Sequence, residues 1–229
     1  KNNEFFHQSP IFPTIINPYL KMQTCTTRSE SKIRVKNSLF LSLLMPVVSK
    51  DEADAALASI RPEHPKANHH CYAYRINPIH PEEFFQDDGE PSGTAGAPIL
   101  HKLQSAGLMD VLLVVIRYFG GIKLGTGGLI RAYGEAARSA IEEAVLVPLR
   151  RYQTVRIRYA YDLESLVQSV LHPFPVTFRE RSYLEQVDLE LLCPFDMADR
   201  LESQLQAIGH QLSDLQIGPD VVAPDPLQT

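Results

Sequence analysis

The sequence predicts an α+β protein made of two domains, and three observations carry that expectation. The chain has 229 residues, more than one ordinary core needs and fewer than three domains require. Its apolar positions switch repeatedly between the two-residue period of strands and the 3.6-residue period of helices. The second half reads strand, helix, strand, strand, helix, strand, the order of a ferredoxin-like sandwich. A hydrophobic share of 44% and a charged share of 21% are those of a globular chain that buries a core.

Each element has its own warrant. Residues 32–48 are rich in alternating and β-branched apolar positions and read as one or two strands ending near Pro46. Ser49 is a helix N-cap, followed by Asp51, Glu52 and Asp54 in the first turn and by Ala53, Ala56, Leu57 and Ile60 at helical spacing. Pro62 and Pro65 should end that helix. Residues 70–76 read as a strand and 77–87 as a loop without regular structure, because Pro78 and Pro81 interrupt it. Thr94 is placed to cap a helix running to about Ala106. Residues 111–118 are a continuous apolar run, short enough for a central strand buried on both faces. A long helix over 128–145 presents Leu129, Tyr133, Ala136, Ala137, Ala140 and Ala144 as a mostly small apolar face. Pro148 closes the first domain.

The second half is expected as strand 153–160, helix 162–171, strands 174–180 and 183–192, helix 195–208 and strand 211–217, with a frayed tail from Gly218. The expected division is an unassigned extension 1–31, a first domain 32–150, a second 151–218 and a tail 219–229. Within the extension, residues 1–21 read as sequence upstream of Met22 and carry no functional argument.

Composition narrows the function. A net charge of −5 and a pI near 5.9 argue against a protein that coats nucleic acid through bulk electrostatics, while leaving room for a local basic patch. Cys25, Cys71 and Cys193 are odd in number, far apart and in no C-x-x-C pair, which suits a reducing, cytoplasmic setting. No apolar stretch is long enough for a membrane span.

Two segments carry chemistry. In the first, residues 87–96, the acids Asp87, Asp88 and Glu90 precede a small-residue turn with Ser92 and Thr94 that delivers backbone N–H groups to a helix start. Such an end attracts anions, and the acids could instead hold hydrated magnesium; the plainer alternative is helix-dipole pairing and turn formation. The second, residues 117–131, holds Arg117, Tyr118, Gly120, Gly121, Lys123, Gly125, Gly127, Gly128 and Arg131 between a buried strand and a long helix. Glycines let the main chain approach a phosphate and the cations neutralise it. Alternatively the glycines serve tight turns and Arg131 pairs with Glu135. His64, His69, His70 and Cys71 crowd together, but strand alternation sends His70 and Cys71 to opposite faces, so a structural role is favoured over a metal site. No local context marks a nucleophile with its base.

The string DDGEPSGTAGAPIL, followed by VVIRYFGGIKLGTGGLIRAYGEA, resembles the hallmark of the YigZ/IMPACT family. The likeness extends over about 32–217, with one departure at Leu39, where family members often have arginine. The resemblance implies a first domain like the second domain of ribosomal small-subunit protein S-five and an elongation-factor-G-like, ferredoxin-like second domain. It also implies a link to translation control, since eukaryotic relatives protect translation initiation, and it carries over no catalytic residue. The expected role is a regulatory or binding module that docks RNA or a ribosome-associated protein near Arg117, Tyr118, Lys123 and Arg131. The alternative is a magnesium-dependent enzyme or binder for a phosphorylated small molecule.

Overall fold

The computed structural model describes residues 22–225; the reading of residues 1–21 and the last four tail residues lie outside it. Five strands build the first sheet: β2 (Ser29–Val35), β3 (Ser38–Pro46), β4 (His69–Ile76), β5 (Glu82–Gln86) and β6 (Val111–Tyr118). They lie in the order β2-β3-β6-β4-β5 with every neighbour antiparallel. Helix α1 (Lys50–Glu63) covers one face, and α2 (Gly96–Ser105) and α3 (Thr126–Glu142) cover the other.

The central strand shows why its sequence is uninterrupted. Val111, Leu113 and Val115 of β6 join the core beneath α2 and α3, while Leu112, Val114 and Ile116 join the core beneath α1. A strand with both faces covered has no solvent side on which to alternate polar residues. The small face of α3, with Ala132, Ala136, Ala137 and Ala140 all buried, lets that helix sit close on the sheet.

The second domain is the expected ferredoxin-like sandwich. Its strands β7 (Leu146–Tyr159), β8 (Thr177–Tyr183), β9 (Val187–Pro194) and β10 (Asp214–Pro224) form an antiparallel sheet ordered β10-β7-β9-β8. Helices α4 (Glu164–Leu171) and α5 (Phe195–Ala207) close a core around Val155, Ile157, Val167, Leu189 and Leu201.

Several expectations need correction. Glu82–Gln86 is a strand rather than loop; none of its residues is buried and it pairs only with β4, so it lacks the buried alternation that would betray it. Pro62 lies inside the last turn of α1, which ends at Glu63 with His64 as its C-cap. Pro148 does not close a domain, because β7 runs through it and Gln23 of β1 (Gln23–Cys25) pairs with it. That short strand lies in the segment expected to be unassigned, yet its Gln23 also exchanges hydrogen bonds with Gly107 (3.0 Å) and Met109 (2.8 Å), tying the two domains together. The stretch 219–224 is not frayed either: Gly218 and Pro219 form a register shift, after which β10 continues along β7. Among the described residues no helix is long and apolar enough to cross a membrane.

Candidate functional site

The acidic corner turns its carboxylates inward. Asp87 accepts from the amides of Gly93 (2.8 Å), Ala95 (3.0 Å) and Gly96 (2.8 Å), so the start of α2 is satisfied by the chain's own carboxylate. The cap is therefore Asp87 and not Thr94, whose hydroxyl donates to the Pro91 carbonyl at 2.6 Å. Asp88, in a left-handed conformation at φ 44°, accepts from Arg61 (2.9 Å) and from the His70 amide (2.6 Å). Burial penalises its charge, but Arg61 and the His70 amide outweigh that and hold the carboxyl below its ordinary pKa. Ser92 is exposed.

Glu90 is buried against Arg117, with Nη1 2.6 Å from Oε1. The same oxygen accepts from the Tyr133 hydroxyl at 2.8 Å. Cys71 lies behind this pair, its Sγ 3.3 Å from the Tyr133 oxygen and its thiol pKa pushed up to about 12 by burial. Burial likewise drives the Tyr133 phenol well above its ordinary pKa. Of the three acids considered for magnesium, Asp88 and Glu90 each face a guanidinium and Asp87 takes backbone amides, and among the described residues no group of three or more His, Cys, Asp or Glu could hold a metal ion.

The glycine loop is built differently. A Cβ on Gly120 would lie 2.1 Å from the Asn37 carbonyl carbon and oxygen, so the β6 exit passes the β2–β3 turn only because no side chain intervenes. Gly121 and Gly125 adopt φ of 83° and 73°, which bends the chain back into α3. That helix begins at Thr126 behind Gly125, with no side-chain cap, and its first internal bond is Leu129 N–H to Gly125 C=O at 2.9 Å. The amides of Thr126, Gly127 and Gly128 have no hydrogen-bond partner among the described residues. Lys123 and Arg131 form no ion pair there either; Glu135, expected to pair with Arg131, is held at 2.5 Å by Arg138.

Folding brings the two corners together. His69, Glu90, Arg117, Phe119, Lys123 and Thr126 line one cavity of about 460 Å³, with Gly125 at its edge. Leu124 separates it from a larger groove of about 840 Å³ between the β2–β3 hairpin, α2 and α3, where Lys36, Lys102, Gly128 and Arg131 meet. Arg117 is 5% exposed, and its buried Nε has no hydrogen-bond partner. His69 Nδ1 lies 2.8 Å from the Asp88 carbonyl, which makes Nδ1 the donor and leaves Nε2 3.8 Å from Glu90.

Seven predicted residues line neither hollow: Ser92, Thr94, Gly120, Gly121 and Gly127, besides Tyr118 and Asp88. Tyr118 follows Arg117 in a strand and so projects to the opposite face, where its hydroxyl meets His64 Nδ1 at 2.8 Å. Asp88 is turned toward Arg61 and lines neither hollow. Sequence reasoning missed His69, Phe119, Thr126, Lys36 and Lys102. Phe119 and Thr126 stood inside the recognised motif, whereas Lys36 reaches the groove through a hairpin turn, at φ 51°, that nothing local announces.

Comparison with known proteins follows the same division of the chain. The model described as the Impact N-terminal domain matches residues 36–141, and one described as a domain of unknown function, DUF1949, matches 157–210. An IMPACT family member of Thermus thermophilus is 41% identical over 160 residues, 70% of this chain and 86% of that protein. The IMPACT family member YvyE of Bacillus subtilis is 32% identical over 195 residues, 85% of this chain and 90% of the relative. A crystal structure of a hypothetical protein superposes with a TM-score of 0.60 at 29% identity, covering 86% of this chain and 95% of that one.

Proposed function

The chain belongs to the IMPACT family, and we propose that it is a translation-associated regulatory protein that docks RNA in the groove between the β2–β3 hairpin, α2 and α3. The observation behind this reading is a local excess of uncommitted positive charge. Lys36, Lys102 and Arg131 line the groove, Lys123 stands beside it, and none of the four has an ion pair among the described residues. In the second domain five arginines, Arg150, Arg151, Arg156, Arg158 and Arg181, are each matched by an acid, while Arg179 and Arg200 have no ion pair among the described residues. A chain of net charge −5 attracts phosphates only where its cations are concentrated and uncancelled. The translation link comes from what the family resemblance implies. A magnesium-dependent enzyme draws less support, since Asp88 and Glu90 are neutralised by Arg61 and Arg117.

The test is ribosome co-sedimentation and single-stranded RNA affinity for the Lys36→Ala/Lys102→Ala variant across a salt series. Each lost phosphate contact should lower the salt slope by roughly 0.7. An unchanged affinity and slope would remove the groove from the account, and ribosome binding that survives nuclease treatment would assign the groove to a protein partner.

A further inference from the structure

We propose that the hollow between the two domains, lined by Asp110 and Arg179, binds a small zwitterion: an apolar α-amino acid, free or as a dipeptide. This site is separate from the docking groove and shares no lining residue with it. Its volume of about 490 Å³ falls in the range of small-molecule sites. Both halves of the chain contribute charge to it, Lys50, Glu82 and Asp110 from the first domain and Arg179 from the second.

The acid is fixed in place and has no counter-charge. Asp110 immediately precedes β6 in a left-handed conformation at φ 54°, and its carbonyl accepts from the Val47 amide (3.0 Å) and the Thr24 hydroxyl (3.3 Å). Its Oδ1 accepts from the Asn77 amide at 3.0 Å, whereas Oδ2 has no hydrogen bond among the described residues. Burial pushes the carboxyl up to about 6; the Asn77 amide offsets part of this and the Glu52 charge adds to it. Lys50 lines the same hollow but is taken by Asp54 at 2.5 Å. A partly buried carboxylate held in this way is answered by an ammonium group from outside the chain.

The cation is set by an irregularity of the sheet. The register of β8 against β9 slips between Phe178 and Glu180, which leaves Arg179 as an extra residue outside the regular alternation of faces. Bulges of this kind re-aim a side chain and recur beside functional sites. Arg179 lines the hollow yet forms no ion pair with Asp110, with Glu82 or with any other acid among the described residues. Opposite charges that share a hollow without meeting leave room for a molecule that carries both in reverse. An α-carboxylate on Arg179 and an ammonium on Asp110 and Glu82 match this arrangement; a simple cation leaves Arg179 unanswered, and an anion confronts two acids. Val48, 63% exposed, and Ile76 face the hollow from the first domain, as do Val221 and Val222 from the second, and they supply the apolar surface for a side chain.

The experiment is calorimetric titration of the full chain at neutral pH with leucine, leucyl-leucine, leucinamide and N-acetylleucine. Leucine or leucyl-leucine should give saturable heat, and loss of either charge, as in leucinamide or N-acetylleucine, should weaken binding by at least about tenfold. Tighter binding of leucine identifies a free amino acid as the ligand; tighter binding of leucyl-leucine identifies a peptide. Arg179→Ala should weaken the zwitterion by about tenfold and leave leucinamide unchanged, and Asp110→Asn should do the same while leaving N-acetylleucine unchanged. Arg179 is exposed, and asparagine at 110 keeps the oxygen that accepts from Asn77 and tolerates the left-handed backbone, so both variants should retain the parent melting temperature. Absence of saturable heat from both zwitterions, equal binding of leucinamide or N-acetylleucine, or binding indifferent to either substitution overturns the proposal.

Discussion

Helices α2 and α3 rest on the same face of one sheet and each follows a glycine-bearing segment, yet their N-termini are finished in opposite ways. At α2, the Asp87 carboxylate takes three backbone N–H groups and the surrounding turn is closed. At α3, the chain arrives through Gly125 with no side-chain acceptor, and Lys123, Arg117 and the Arg117-bound Glu90 line the cavity beside it. An internal carboxylate that takes the first amides converts a helix start into a structural joint; a start with no capping side chain keeps those amides available to an external acceptor. The molecule uses one of its anion-seeking corners to hold itself together and presents the other to solvent.

Breaking this comparison should have graded effects. The largest concerns the pair that joins the two corners: Glu90→Ala leaves the Arg117 guanidinium buried without a counter-charge, and urea unfolding should show a loss of about 4 kcal/mol. Next comes Asp87→Ala, which strands three amides at the α2 start and should cost about 3 kcal/mol. Asp87→Asn keeps one acceptor oxygen and should recover part of that.

Asp88→Asn should cost about 1 kcal/mol at neutral pH, because Arg61 is half exposed and only part of the pairing energy survives solvent. Its sign with pH is fixed. The folded carboxyl titrates below its unfolded value of about 3.9, so its contribution is present above that pH and is lost as pH falls through the folded pKa. Acid unfolding of the variant should therefore be shallower in that window. The smallest effect is that of Gly127→Asp, which should stabilise by about 0.5 kcal/mol through the helix dipole and the removal of a helical glycine.

Much of this architecture was legible in the sequence because it rests on periodicity. The uninterrupted run of β6, the Ser49 cap and the βαββαβ order each follow from local rules that the fold does not override. The expectation grouped Tyr118 with Arg117 at one site, although strand alternation alone sends neighbours to opposite faces. What escaped depends on pairing across distance. Asp87 caps a helix eight and nine residues downstream, and Glu90 meets Arg117 across 27 residues. Gln23 and Met22 bind the edge of a strand more than a hundred residues away. No composition or spacing signals such contacts, because they are fixed only when the two sheets and their connecting strand are in place.

The most direct test of the contrast between the two helix starts is an amide NMR titration of the full chain with inorganic phosphate. The amides of Thr126, Gly127 and Gly128 should shift in a saturable way that is lost in Lys123→Ala, while those of Gly93, Ala95 and Gly96, already held by Asp87, should stay in place. Equal movement at both sets, or movement at neither, would contradict the account.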